Sequence, residues 1–245
     1  MHETSSTGQA AKDRLVSFVA GHVYRVPLIG LAFRRFLERH LGRRFYQNRD
    51  FFNQILSSWA SPWLGGTLSV DLRNSITLHL AKRLAPKATS VLDLGCAGGT
   101  LALHLGPEFE TYWGVDISDV AIAKAKENLA AASTAGVQYH LEVSPIEEFQ
   151  PSRKFDVIVF NEVLHYLSLD QVAAAIQHYA GFLADNGLIV LSLKNGDLSS
   201  LIESVVLREL KFECGVLYQQ QPQRPGWKIV QNRETPAYLV QAFRV

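Results

Sequence analysis

Cysteine is scarce in this chain, with only Cys96 and Cys214 among 245 residues. Two thiols build neither a disulfide framework nor a cysteine-rich zinc site. So few of them point to a reducing, cytoplasmic setting. The histidines do not stand in as metal ligands. His2, His22, His40, His79, His104, His140 and His178 fall in separate segments, with no pair at metal-site spacing. Long apolar runs are missing too, and none approaches the roughly 20 residues needed to cross a bilayer. Residues Met1 to Gly8 are polar and lack the apolar core of a secretion signal. Net charge is only +1, which gives no general case for a nucleic-acid partner.

That near-neutrality conceals an asymmetry. Residues 1–50 hold nine Lys and Arg against four acids, so the remainder is net acidic. Apolar residues make up 47% and charged residues 19%, enough to build a core and too apolar for global disorder. The length suits one large α/β domain with an appendage.

No internal repeat or low-complexity tract divides the chain. Residues 10–85 read as helices. Leu28, Ile29, Ala32, Phe33, Phe36, Leu37 and Leu41 recur at spacings of three and four, with Arg34, Arg35, Glu38 and Arg39 elsewhere on the wheel. Phe51, Phe52, Ile55, Leu56 and Trp59 suggest a second helix. Asp71 is placed to cap a third that runs through Leu84 and stops at Pro86. From residue 90 onward strands and helices alternate, with strands expected near 90–95, 111–116, 137–142, 155–161 and 187–193. Helices are expected at 99–106, 118–133 and 168–184, then at 198–210. The tail ends in two further strands, 212–220 and 237–245, across a turn-rich Gln221–Gly226 connection. Short fully apolar strands such as Val157–Phe160 suit a parallel sheet covered on both faces. The expected fold is therefore α/β, a doubly wound Rossmann-like seven-stranded sheet, mostly parallel, with antiparallel pairing at the C-terminal edge. Residues 1–69 form an N-terminal helical extension and residues 70–245 the main domain. Ligands of such sheets bind at the C-terminal ends of the strands.

The segment that names a ligand class is Val91-Leu92-Asp93-Leu94-Gly95-Cys96-Ala97-Gly98-Gly99. An apolar strand ends in an acid, and a glycine-rich turn follows, where a ligand can approach the main chain closely. Seventeen residues after Gly99, the run Tyr112-Trp113-Gly114-Val115-Asp116 again ends in an acid. Together they describe a nucleotide-type site.

Over residues 70–245 these motifs resemble the class I S-adenosylmethionine-dependent methyltransferases, whose first motif reads acid-x-Gly-x-Gly-x-Gly. Ala97 takes the middle glycine position. The resemblance implies that the backbone from Gly95 through Cys96, Ala97 and Gly98 to Gly99 lies against the methionine portion, with Asp93 turned toward its ammonium group. Asp116 matches the acid that holds both ribose hydroxyls, and Ile117 would pack on the adenine face. Beyond the strand ending near Glu142, the family often has an acid that bonds the adenine amino group. Here Ser144 or Pro145 fills that position, depending on register, and the Ile146 amide would meet a ring nitrogen. Phe155 to Leu167 matches the family's fourth strand, with Asn161 at its end, where a side chain or carbonyl can touch the methionine moiety. The wording Asn-Glu-Val-Leu-His-Tyr resembles enzymes acting on sugar amines and other small metabolites.

Transfer of a methyl group needs a base only when the acceptor must lose a proton. His165 is placed for that role, since its intrinsic pKa is near 6.5, or else it packs and hydrogen-bonds. Glu162 either binds an ammonium or hydroxyl group of the acceptor or is a solvated or capping acid. Cys96 is a small loop residue or, less simply, a nucleophile at a helix N-terminus. The basic N-terminal segment reads as a lid, with Tyr46, Trp59 or Trp63 shaping the acceptor pocket. It also reads as a surface for anionic membrane, or as solvated charge. The expected activity is methyl transfer from S-adenosylmethionine to an oxygen or nitrogen of a small metabolite, without a metal. Two other classes stand beside it: a nicotinamide-dependent oxidoreductase using Asp116 for the ribose, and a non-catalytic cofactor-binding module that recruits a partner through its basic N-terminus. The Asn/Asp-Pro-Pro-Tyr signature of many base-methylating enzymes is absent, and the later portion of the chain is net acidic.

Overall fold

A computed structural model describes residues 49–57, 68–132, 136–194, 197–219 and 237–245. The helix expected around Leu28–Leu41, together with Tyr46, Trp59 and Trp63, lies outside them. Seven strands form one sheet: β1 (Ser90–Leu94), β2 (Thr111–Asp116), β3 (Gln138–Val143), β4 (Phe155–Asn161), β5 (Leu183–Lys194), β6 (Lys211–Gln219) and β7 (Ala237–Arg244). Their spatial order is β3-β2-β1-β4-β5-β7-β6. The first five are parallel, and β7 runs antiparallel to both β5 and β6. Five helices complete the described fold: α1 (Arg49–Leu56), α2 (Leu68–Leu84), α3 (Asp119–Ala132), α4 (Leu169–Ala180) and α5 (Asp197–Glu209).

The apolar strands alternate between two cores. Leu92, Leu94, Ile158, Phe160, Ile189 and Leu191 face the layer that includes α4 and α5. Val91, Val157, Val159, Leu188 and Val190 face the opposite layer, with α2. Successive side chains of a strand point to opposite faces, so burial on both faces demands an unbroken apolar run. Strand order reverses between β1 and β4: the chain winds outward through β2 and β3, then returns to β4 and β5. In open sheets of this kind, ligands bind outside the C-terminal ends of the strands at such a switch point.

Three expectations need correction. The helix expected at 99–106 is a turn followed by a single 3₁₀ turn, Ala102–His104. Gly99 N–H is already bonded to Cys96 O, and Ala102 N–H to Gly99 O. The segment is tightened by turn bonds and does not extend into an α-helix. The helix expected at 168–184 ends at Ala180, and β5 starts at Leu183, earlier than the apolar run suggests. Asn186 sits in that early part with φ +62°, so polar residues and a backbone kink masked the strand. Finally, α2 starts at Leu68, which puts Asp71 in its first turn rather than at its cap. This helix packs against β5 and β7.

Candidate active site

Strand β1 ends in Asp93, and the chain must turn sharply to leave the sheet. Gly95 and Cys96 both donate their N–H to Val115 O, at 2.8 and 3.0 Å, which folds the turn back on the end of β2. Gly95 has φ +76° and Ala97 φ +46°, both in the left-handed region. A Cβ added to Gly95 would lie 2.6 Å from Cγ2 of Val163, so the turn and the segment after β4 meet at a distance only glycine allows. Ala97 occupies the same region without glycine's freedom, at a cost of about 1 kcal/mol. The far end of the turn is held by Asn128, whose Nδ2 donates to Gly98 O at 2.8 Å. Cys96 is buried, and burial among the acids Asp116 and Asp93 pushes its thiol well above the ordinary value. A neutral, enclosed thiol is a space-filling residue, and the nucleophile reading falls away.

Asp116, at the adjacent strand end, accepts from Ala97 N–H through Oδ2 and from Ser118 N–H through Oδ1, each at 2.9 Å. A carboxylate has about four acceptor sites, so these two bonds fix the group and leave capacity on both oxygens. Burial raises its pKa against the two backbone bonds. Ile117 follows, half-buried, with its carbonyl accepting from Arg49 Nε at 2.9 Å. Ser144 N–H donates to Asp116 O at 2.9 Å, which brings the third loop beside the second acid. The Ser144 hydroxyl donates to Pro145 O, and Tyr179 OH donates to Ile146 O at 2.6 Å. The loop is therefore pinned from below by α4, and the Ile146 side chain packs into the core.

Asp93 lies beneath the turn rather than at its rim. Its carboxylate is 2% exposed and accepts from Tyr112 OH at 2.7 Å. Burial outweighs that bond and the nearby Arg73 cation, lifting its pKa to about 7. Asn161 closes β4 and is half-buried. Its Oδ1 accepts from Thr77 Oγ1 at 3.2 Å, and its Nδ2 donates to Asn74 Oδ1 at 3.4 Å. Asn74 in turn donates to Thr100 Oγ1 at 3.1 Å. This buried chain ties α2 to both β4 and the segment after the glycine turn. The Asn161 side chain is committed to it, leaving the backbone as its means of meeting a ligand.

Glu162 occupies the next position with φ +57°. Its N–H donates to Ser192 O at 3.1 Å and its Oε1 accepts from Ser192 Oγ at 3.3 Å. Burial raises its carboxyl to about 7, against the pull of Arg73, the Ser192 bond and Lys194. His165 lies in the 3₁₀ turn Leu164–Tyr166, half-buried, with its ring 4.1 Å from that of Tyr166. Tyr166 meets the edge of Phe52 at 5.1 Å. Among the described residues, no group of three His, Cys, Asp or Glu side chains is arranged to hold a metal ion.

Sequence reasoning missed the contribution of α2 and α1. Arg73 acts electrostatically on both Asp93 and Glu162, and its Nε is buried without a hydrogen-bond partner. An unsatisfied guanidinium nitrogen in a side chain that acts on both acids is a ready site for an anionic ligand group. From α1, Asn53 donates to Asp119 Oδ1 at 2.6 Å and accepts from Ser118 Oγ, closing a clasp over the segment after Asp116. No periodicity flags these residues. They acquire their role only when the helices pack on the strand ends.

The arrangement fits S-adenosylmethionine: a cradle that a Cβ would fill at Gly95, a two-oxygen acid at Asp116, and an orphaned cationic nitrogen at Arg73. Comparison with known proteins agrees. Residues 92–189 match a family model described as a methyltransferase domain. Nodulation protein S of Sinorhizobium fredii (strain NBRC 101917 / NGR234) is 29% identical over 133 residues, covering 53% of this chain and 58% of that protein. A dTDP-3-amino-3,4,6-trideoxy-alpha-D-glucopyranose N,N-dimethyltransferase of Streptomyces venezuelae is 27% identical over 114 residues, 46% of this chain and 45% of the relative. The chain thus spans about half the length of the curated relatives it matches. Among solved structures, the N-methyltransferase NodS of Bradyrhizobium japonicum WM9 in complex with S-adenosyl-L-homocysteine superposes with a TM-score of 0.64 at 21% identity, covering 81% of this chain and 98% of that one. Strand order, glycine turn and family match agree: residues 92–189 carry a methyltransferase domain, and the chain resembles the class I S-adenosylmethionine-dependent methyltransferases.

Proposed function

We propose that the chain transfers a methyl group from S-adenosylmethionine to a nitrogen or oxygen of a small molecule, with a sugar or secondary metabolite as the acceptor class. The observation that carries this reading is Asp116, held by two backbone N–H groups against the glycine turn with capacity remaining on both oxygens. In this reading Asp116 binds the two ribose hydroxyls. Gly95 to Gly99 line the methionine portion, Asp93 supports the turn from below, and Ile117 with the Ser144–Ile146 loop encloses the adenine. Arg73 binds the methionine carboxylate, and the Asn161 backbone meets the same moiety. When bound, S-adenosylmethionine supplies an electrophilic methyl group on a sulfonium whose leaving group departs neutral. The protein's task is then chiefly to align the acceptor and exclude water.

The extension expected over residues 1–69 takes part through α1. Its clasp on Ser118 and Asp119, with Phe52 against Tyr166, supports a lid covering the adenosine end. His165 is a packing residue of that wall in this proposal. A cytoplasmic setting is part of it too, and no described helix is long and apolar enough to cross a membrane.

The nicotinamide reading fares worse. A dinucleotide pyrophosphate sits on the N-terminus of the helix that follows the glycine turn. Here that segment is a turn and a 3₁₀ turn whose first N–H groups are spent internally. The relatives, named as N-, N,N-di- and O-methyltransferases, support methyl transfer but divide over the acceptor atom. The test is transfer of label from methyl-tritiated S-adenosylmethionine across a panel of amines, phenols and sugars. Incorporation into any of them supports the proposal. Saturable NADH binding without S-adenosylmethionine binding would replace it with the oxidoreductase reading, and retention of S-adenosylmethionine without transfer to any acceptor favours the partner-recruiting module.

A further inference from the structure

Glu162 has a strained backbone and an enclosed side chain at the mouth of the site. A non-glycine residue with φ +57° persists only when its surroundings over-determine it, and such residues cluster at functional positions. Two bonds to Ser192, one through its backbone and one through its carboxylate, hold Glu162 over the C-terminal ends of β4 and β5. Ser192 is fully buried and gives no room for adjustment. The next residue, Val163, packs on Gly95, the first glycine of the cofactor turn. The carboxylate therefore stands on the β4–β5 side of that turn, away from Asp116 on β2. The charged groups that act on it are Arg73 of α2 and Lys194 of β5. Arg73 is shared with Asp93, and Lys194 is exposed to water, which screens it.

We propose that Glu162 anchors the methyl acceptor and that this acceptor is an amine, bound as its ammonium ion. The assignment rests on the methyltransferase reading above. An ammonium has no free lone pair, so it must lose a proton before it attacks. One N–H bond breaks and one O–H bond forms on Glu162. The lone pair left on nitrogen then forms the N–C bond, while the C–S bond breaks with its electrons kept by sulfur. With the Glu162 carboxyl raised to about 7, taking a proton from a lysine-like ammonium (~10.4) is roughly a thousandfold uphill. Taking one from a water-like hydroxyl (~15.7) is about a billionfold uphill. A phenol near 10 passes the proton test, but before transfer it is neutral and gives the carboxylate only a hydrogen bond, whereas an ammonium adds a full opposite charge.

The test uses the whole chain and two cofactor analogues: S-adenosylhomocysteine, and sinefungin, which carries an amine in place of the methyl sulfonium. Their dissociation constants are measured by calorimetry at pH 8 for wild type, Glu162→Gln and Glu162→Asp, each checked for folding by thermal melting. Wild type should prefer sinefungin by about tenfold or more. Glu162→Gln should bring the ratio to within about twofold of unity, and Glu162→Asp should fall between. An equal preference in wild type and Glu162→Gln overturns the assignment while leaving the methyl-donor site intact. Failure of wild type to bind either analogue removes the methyltransferase reading and this assignment with it.

Discussion

Tyr112 donates its phenolic hydrogen to Asp93 Oδ2 across 2.7 Å, and both residues are buried beneath the glycine turn. The pair comes from adjacent parallel strands, with Asp93 aligned to Gly114 two residues beyond Tyr112. The side chain that Gly114 lacks leaves space that Tyr112, Cys96 and Leu141 fill. A buried acid is thus held by one hydroxyl and its attraction to Arg73.

Stability should therefore fall as pH rises. Asp93 moves from 3.8 to about 7 and Glu162 from 4.5 to about 7, and Asp116 moves in the same direction. An acid with a raised folded pKa binds more protons folded than unfolded between the two values. Its contribution is present at low pH and lost as pH climbs from about 4 to 7, by on the order of 3–4 kcal/mol each for Asp93 and Glu162. Ligand-free protein should melt at a higher temperature at pH 5.5 than at pH 8. Asp93→Asn and Glu162→Gln should each flatten that difference. A melting temperature that rises from pH 5.5 to 8 would contradict the assignment.

Tyr112→Phe should be pH-sensitive in the opposite sense. At pH 8 it removes a hydrogen bond to a charged group, worth about 1.5–3 kcal/mol, and at pH 5.5 one to a neutral acid, worth about 1 kcal/mol. Urea unfolding at both pH values measures the difference. Equal losses would show that the hydroxyl does not meet an ionised Asp93.

Gly95→Ala should destabilise the protein by at least 2 kcal/mol, because its Cβ meets Val163 at 2.6 Å in a left-handed backbone. Adding Val163→Ala should relieve the clash but not the backbone strain, so the double variant recovers part of the loss. The converse holds at Ala97, where φ is +46°. Ala97→Gly should be neutral to about 1 kcal/mol stabilising, as glycine relieves the strain and its greater unfolded-state freedom offsets part of the gain. Denaturation midpoints decide both, and a clear loss of stability in Ala97→Gly would contradict the strain argument.

Asp156 gives a contrasting prediction, since it sits at the opposite end of the sheet. Its Oδ2 accepts from the N–H groups of Thr89 and Ser90, both at 3.0 Å, and from Ser90 Oγ at 2.7 Å. Asp156→Ala strands these donors and should cost about 2–4 kcal/mol. The folded fraction should bind S-adenosylhomocysteine as wild type does. A large loss of affinity would show that the two ends of the sheet are coupled.

The sheet and the donor-side acids were legible in the sequence because their signals are local. An apolar run ending in Asp93, a glycine turn and a second run ending in Asp116 are read within a few residues of each other. Arg73, Asn74 and Thr77 gave no such signal. They lie on a helix of mixed pattern, and their partners Asp93, Glu162, Thr100 and Asn161 are contributed by distant segments. Glu162 was visible as a candidate, but its positive φ and the seal from Ser192 exist only once β4 and β5 pair. The helix expected after the glycine turn failed for the reverse reason. Thr100 to Leu105 carries helical periodicity, yet turn bonds from Gly99 and Ala102 capture the backbone first.

Calorimetric titration of the full chain with S-adenosylhomocysteine, beside Asp116→Ala and NADH, tests the central claim most directly. The account predicts saturable one-to-one binding by wild type, a loss of at least a hundredfold in Asp116→Ala, and no heat with NADH. Undiminished affinity in Asp116→Ala, or saturable binding of NADH alone, would contradict it.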